Sequence, residues 1–196
     1  CMWLSWESST SPASSAIVAS FSSLAGFWSR LRSSGSSPGG CGRRVTLSTS
    51  GLVPQIYKLA EETNCALAVS LHAPDDALRD ELVPINRKHP IKELLDACWH
   101  YVEKQNARNV TFEYVMLGGV NDQPSHATML AQLARECRAF VNLIPLHPGG
   151  TMGFSPSSAA ATASFTRALR ARGVETAVRR SRGLDIAAAC GQLRTE

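Results

Sequence analysis

From residue 43 onward, apolar positions recur with two alternating periods, one suited to strands and one to helices. "RRVTLSTSG" (43–51) is a short β-branched run closing in small hydroxyl residues and a glycine, a strand leading into a turn. In "LVPQIYKLAEET" (52–63), Leu52, Ile56 and Leu59 share one helical face. "CALAVSLHAP" (65–74) is almost continuously apolar, as in a parallel strand buried on both faces. "DDALRDELV" (75–83) starts a helix with acids, and "IKELLDACWHYVEKQ" (91–105) is a longer amphipathic helix. The alternation continues with a strand in "NVTFEYVMLGG" (109–119), a helix in "SHATMLAQLAREC" (125–137) and a strand in "FVNLIPLHP" (140–148). A Ser/Ala-rich helix over about 157–172 then leads to the strand "VETAVRR" (174–180). Strands separated by helices predict an α/β fold with parallel strands. The pattern fits either an open doubly wound sheet or part of a (β/α) barrel.

Residues 1–41 break this pattern. Fourteen of the first 40 residues are serine, Glu7 is the only acid there, and "RSSGSSPGGCG" (32–42) has linker composition. We read 1–41 as a low-complexity, disordered or mistakenly translated segment and 42–196 as the folded domain. A Ser-rich, acid-poor leader with arginines also suits an organellar transit peptide. The chain starts at Cys1, so the natural N-terminus is expected upstream. No run approaches the roughly 18–20 apolar residues of a membrane span, so no membrane partner is expected.

Charge adds a second contrast. The net charge is only +4, yet Arg167, Arg170, Arg172, Arg179, Arg180 and Arg182 cluster around a single acid, Glu175. Guanidinium forks suit phosphate, which points to an RNA or DNA partner; a solvated basic helix face is the plainer reading. The six cysteines, at 1, 41, 65, 98, 137 and 190, contain no CxxC and no CxxxCxxC spacing. Free thiols, most of them ordinary small core residues, are the expectation.

Sites on parallel α/β folds collect at the carboxyl ends of strands. Here those ends read "STSG", "SLHAP", "MLGGVND" and "PLHPGG", a set of small, hydrogen-bonding residues suited to a nucleoside-like ligand. His72 and His147 sit at equivalent places and are either ligand contacts or ordinary hydrogen-bonding loop residues. Ser48 and Ser50 are either site residues or caps of the next helix. Glu113, between Phe112 and Tyr114 in a strand, needs either a polar barrel interior or a solvated face. Asp122 suits a turn, and Asp75 and Asp76 suit a helix start rather than a catalytic dyad. No GxxxxGK[ST] or GxGxxG phosphate loop occurs.

Five strings together, "RRVTLSTSGLVPQIYKLA", "ALAVSLHAPDDALRDELVPINRKHPI", "VTFEYVMLGGVND", "VNLIPLHP" and "AVRRSRGLDIAAACGQL", resemble one family. Over about residues 42–194 the chain is similar to the carboxyl-terminal half of the radical S-adenosylmethionine (SAM) methyltransferases. That family methylates C2 of an adenosine in 23S rRNA, and many members also act on tRNA. The resemblance implies the C-terminal part of a partial (β/α) radical-SAM barrel, incomplete at its N-terminal side. It also implies SAM and a 4Fe–4S cluster as cofactors, an electron donor for the cluster, and a bacterial cytoplasmic or organellar location. In the family a cysteine near the C-terminus is methylated first. A 5′-deoxyadenosyl radical then abstracts hydrogen from that methyl group, and the methylene radical adds to the ring carbon.

By that resemblance Cys190, in "ACGQL", matches the catalytic methyl carrier. Ser48 in "TLSTSG" and Ser70, Leu71 and His72 in "SLHAP" match SAM-contacting positions. His147 matches a position that is more often asparagine, "PWNP" where this chain has "PLHP". The family's CxxxCxxC triad, its GMGEP-like strand end and its second cysteine have no counterpart in the sequence. The expectation is therefore a fragment that does not cleave SAM by itself. The alternative is a non-catalytic RNA-binding remnant using the arginine-rich segment.

Overall fold

The structure, a computed structural model, describes residues 46–146 and 153–179. Its elements alternate as the sequence predicts: β1 (Thr46–Thr49), α1 (Val53–Glu62), β2 (Ala66–Ser70), α2 (Asp76–Leu82) and a 3-10 turn (Pro84–Arg87). They continue with α3 (Ile91–Lys104), β3 (Val110–Met116), α4 (Pro124–Glu136), β4 (Ala139–Pro145), α5 (Ala159–Ala171) and β5 (Thr176–Val178). The proposed segment 1–41 lies outside the described residues.

The five strands pair in chain order, and every pairing is parallel. A doubly wound sheet reverses its strand order at a switch point. No reversal occurs here, so successive right-handed crossovers all place their helices on one face. The winding is that of a (β/α) barrel wall, which decides between the two architectures left open by the sequence.

Alternate strand residues therefore meet very different surroundings. Leu67, Val69 and Leu71, then Val110, Phe112, Tyr114 and Met116, then Val141 and Leu143, form one buried cluster with the helices. α3 contributes Ile91, Leu94, Leu95, Cys98, Tyr101 and Val102, a three-and-four spacing that covers one helix face. The other sheet face carries Ser48, Ala66, Ala68, Ser70, Thr111, Glu113 and Asn142, which belong to no apolar cluster. We call it the concave face, the inside of the barrel wall.

Local chemistry sets the helix ends. Asp75 caps α2, its Oδ1 accepting from Leu78 N–H at 2.9 Å, and Ser158 caps α5 by accepting from Ala161 N–H at 3.0 Å. Pro124 begins α4, where a missing N–H costs nothing. The first N–H of α3 is satisfied from another element: Ile91 N–H donates to Asp76 Oδ1 at 2.8 Å. Asp75 and Asp76 are thus helix-start acids, as expected, with Asp76 also joining two helices.

Cys98 and Cys137 are free and fully buried, as expected of small core residues. Cys65 is disulfide-bonded instead and departs from the expectation of free thiols. No helix among the described residues is long and apolar enough to cross a membrane.

Candidate functional site

The carboxyl ends of β1, β2 and β3 lie side by side because the strands are parallel and in register. Ser48 pairs across to Ala68 and then Thr111, and the next row sets Ser70 beside Glu113 and Asn142. Ser48 does not cap the following helix, as its sequence position allowed. The cap position of α1 is Leu52, and no side chain caps it. Instead Ser48 Oγ donates to Glu113 Oε2 at 3.2 Å, spanning from β1 to β3 above the small Ala68. Glu113, which the sequence left between barrel interior and solvent, is on the concave face and only 9% exposed. The Ser70 hydroxyl is buried on the same face and has no hydrogen-bond partner.

Beyond Ser70 the chain turns sharply. Leu71 N–H donates to the Glu113 carbonyl at 3.0 Å, and Leu71 itself is fully buried in the helix-side core. His72 takes the left-handed conformation, φ 59°, unusual for a residue with a Cβ. Its ring is held rather than free: Nδ1 accepts from Val115 N–H at 3.2 Å, which leaves the ring proton on Nε2. Burial, and secondarily the Arg79 charge, lower its pKa from 6.5 to about 4. His72 is therefore a neutral imidazole at pH 7, offering one N–H to a ligand.

Two residues absent from the sequence-based site hold this turn. Asn121, fully buried, donates through Nδ2 to the carbonyls of His72 at 2.8 Å and Val115 at 2.7 Å. Its Oδ1 accepts from Leu117 N–H at 2.7 Å, and its own carbonyl accepts from Tyr114 Oη at 2.8 Å. Arg79, from α2, is also fully buried and reaches beneath the strand ends. Its Nε donates to the Leu71 carbonyl at 3.1 Å, and one terminal nitrogen donates to the carbonyls of Ser50 at 2.8 Å and Ser70 at 3.2 Å. The other terminal nitrogen donates to Asn86 Oδ1 at 2.8 Å, and Asn86 in turn donates to Asp76 and Asp80. Burial lowers the Arg79 pKa to about 10, with Asp76, Cys98 and Asp80 opposing the shift, so the guanidinium stays charged at neutral pH.

Gly51 is required where Arg79 passes. Its φ is +106°, and a Cβ there would lie 3.1 Å from the guanidinium. A sequence signal for Arg79 did exist. An arginine on the inner face of a short acid-rich helix, between two apolar strands, cannot stay buried without acceptors. Nothing in the sequence specified that strand-end carbonyls would supply them. Asp122 does what its context predicted, accepting from Gly119 N–H at 3.0 Å in the turn after β3.

The structure thus brings together Ser48, Ser70, Leu71 and His72 of the residues singled out by sequence. His147 and Cys190 lie outside the described residues. Among the described residues, no group of three His, Cys, Asp or Glu side chains is placed to hold a metal ion.

No protein-family model matches the chain. Individual proteins do. The chain is 63% identical over 155 residues to a probable dual-specificity RNA methyltransferase RlmN of Gemmatimonas aurantiaca, covering 79% of this chain and 42% of that protein. It superposes with a TM-score of 0.74 on the crystal structure of a radical SAM methyltransferase from Sphaerobacter thermophilus. The two are 54% identical over 79% of this chain and 45% of the other. A domain of a pyruvate-formate lyase-activating enzyme from Bacteroides vulgatus shares the fold at 14% identity, TM-score 0.53, over 69% of this chain and 80% of that one. The chain spans less than half the length of this curated relative. The likeness to radical SAM methyltransferases, and to their partial-barrel fold, is borne out across 79% of the chain.

Proposed function

We propose that this chain forms the SAM-binding wall of a radical SAM RNA methyltransferase that modifies C2 of adenosine in 23S rRNA, with tRNA as a second substrate class. Its relatives carry RNA methyltransferase and radical SAM methyltransferase in their names, which supports the chemistry. The observation that carries the reading is the buried, unpartnered Ser70 hydroxyl. A buried hydroxyl in that state calls for a hydrogen-bond partner, which a bound ligand can supply. It adjoins Leu71 and His72 and shares the concave face with Ser48, three of the other positions matched to SAM contacts; the fourth, His147, lies outside the described residues.

The residues present fit SAM in type. Ser70 Oγ offers a donor and an acceptor, and neutral His72 offers Nε2–H. SAM supplies the transferable methyl group and, on reductive cleavage, a 5′-deoxyadenosyl radical. In this reading Cys190, set among the small residues Ala187, Ala188, Ala189 and Gly191, holds the methyl group. The residues present do not fit a 4Fe–4S cluster. No CxxxCxxC occurs in the 196 residues, and no group of three His, Cys, Asp or Glu side chains among the described residues could hold a metal.

A purely RNA-binding role draws less support. Arg170 donates to the Thr176 carbonyl at 2.8 Å, Arg172 to the Ala168 carbonyl at 3.0 Å, and both serve the fold before any partner. The test is calorimetric titration of the 196-residue chain with SAM. Saturable binding, weakened about tenfold in Ser70→Ala by loss of one ligand hydrogen bond, is the expected result. Absence of saturable SAM binding overturns the reading.

A further inference from the structure

The connection from β2 to α3 carries positive charge that the fold does not use. Between Glu81 and Glu93 the chain has no acid, while Arg87, Lys88 and Lys92 fall within six residues. β2 ends at Ser70 and α3 begins at Ile91, so residues 71–90 form a loop on the carboxyl-end side of the sheet. Asn86, 1% exposed, fixes the 3-10 turn in that loop. It accepts from Arg79, the guanidinium that also holds the Ser50 and Ser70 carbonyls, and donates to Asp76 Oδ1 at 2.9 Å and Asp80 Oδ1 at 2.7 Å. The next residue, Arg87, is exposed, and its side chain makes no hydrogen bond or ion pair with any described residue. Lys88 beside it is exposed as well. The acids around them are engaged elsewhere. Asp75 caps α2, Asp76 and Asp80 face Asn86, Glu93 Oε2 lies 3.5 Å from His89 Nδ1, and Asp96 Oδ2 lies 3.2 Å from Lys92 Nζ. Of the described acids in this stretch, Glu81 alone is without such a partner.

Resting on the RNA methyltransferase reading above, we infer that Arg87, with Lys88, contacts the phosphate backbone of the RNA substrate at the rim of the site. The guanidinium fork matches two phosphate oxygens, and a turn already anchored by Asn86 loses little freedom on binding. Such a contact sets the register of the strand without reading its sequence. Through Asn86 and Arg79 it belongs to one hydrogen-bonded unit with the ends of β1 and β2. A backbone gripped there is therefore held in a fixed relation to the strand ends. An acidic peptide meets the same charge, but the position beside the proposed site favours the nucleic acid. Arg135, also exposed and outside any ion pair, lies in the last turn of α4 at the opposite end of the strands and gives the control.

The experiment follows the fluorescence anisotropy of a labelled single-stranded RNA of about 20 nucleotides, longer than one binding site, as the 196-residue chain is added at about 50 to 200 mM KCl. Wild type should bind, and more weakly as salt rises. Arg87→Gln should weaken binding about threefold and reduce the log–log salt slope by about 0.7, the loss of one phosphate contact to a single strand. Arg87→Glu should weaken it further. Arg135→Gln, with the same change in net charge as Arg87→Gln, should leave affinity nearly unchanged. Circular dichroism and the SAM titration of Arg87→Gln should match wild type. Wild-type RNA affinity in Arg87→Gln, equal losses in Arg87→Gln and Arg135→Gln, or no RNA binding by wild type overturns the inference and leaves the SAM titration to decide the site. Polyglutamate competing as well as unlabelled RNA at equal charge concentration also overturns it, in favour of an acidic protein partner. If wild type binds RNA through Arg87 but binds no SAM, the SAM-site reading falls and the RNA contact stands.

Discussion

The two faces of the sheet are built from alternate residues of the same strands, and they differ in what they still need. On the helix side Val69, Leu71, Phe112, Tyr114, Val141 and Leu143 are 0% exposed and complete within the apolar cluster. On the concave side Ser48, Ser70, Glu113 and Asn142 are polar, and Ser70 is unsatisfied. One face is finished by the fold; the other, the face of the proposed site, keeps a buried hydroxyl without a partner. Substitutions on the helix side should therefore cost stability, and substitutions on the concave side should cost affinity.

The sharpest break should come from residues that serve the fold beneath the site. Arg79→Met leaves the carbonyls of Ser50, Ser70 and Leu71 without their buried donor and is expected to cost on the order of 3–5 kcal/mol. Urea denaturation measures this, and a loss under about 1 kcal/mol would mean that water replaces the guanidinium. Phe112→Ala opens a cavity in the core and should cost about 3–5 kcal/mol, with SAM affinity unchanged in whatever fraction remains folded. Asn121→Ala strips donors from His72 and Val115 and should cost about 1–3 kcal/mol. Unlike Phe112→Ala it should also weaken SAM binding, since the His72 turn is released.

A different kind of break is a pH dependence from His72. Its pKa is about 4 in the folded chain and near 6.5 when unfolded. Between those values the unfolded state binds a proton that the folded state refuses. The stabilisation is complete above pH 6.5 and is lost as pH falls toward 4. His72→Gln should flatten that part of the urea-midpoint profile. Profiles of equal slope in the two proteins would show that His72 is not held neutral.

The elements were legible because their periods differ. β3 and β4 alternate, α3 repeats at three and four, and Asp75 and Ser158 mark helix starts that the structure keeps. Boundaries shifted by a few residues, and the 3-10 turn at Pro84–Arg87 had no periodic signature. Ser48 and His72 stood out at strand ends, and Ser70 and Leu71 were singled out only through a family resemblance. Glu113 was noticed without a face to place it on. Arg79 and Asn121 were missed because their partners are backbone carbonyls and N–H groups of other segments, which a side-chain pattern does not display.

The sequence by itself determined the α/β alternation, the apolar side of each helix and the polar character of the strand ends. These follow from local periodicity and residue type, which need no knowledge of distant neighbours. Only the tertiary structure decided that the strands run β1 to β5 without reversal, which turns one sheet face into a barrel interior. It also decided that Ser48 meets Glu113, 65 residues away, and that Ser70 is left without a partner. Such contacts depend on register between strands remote in the chain, and register is set by packing of the whole sheet.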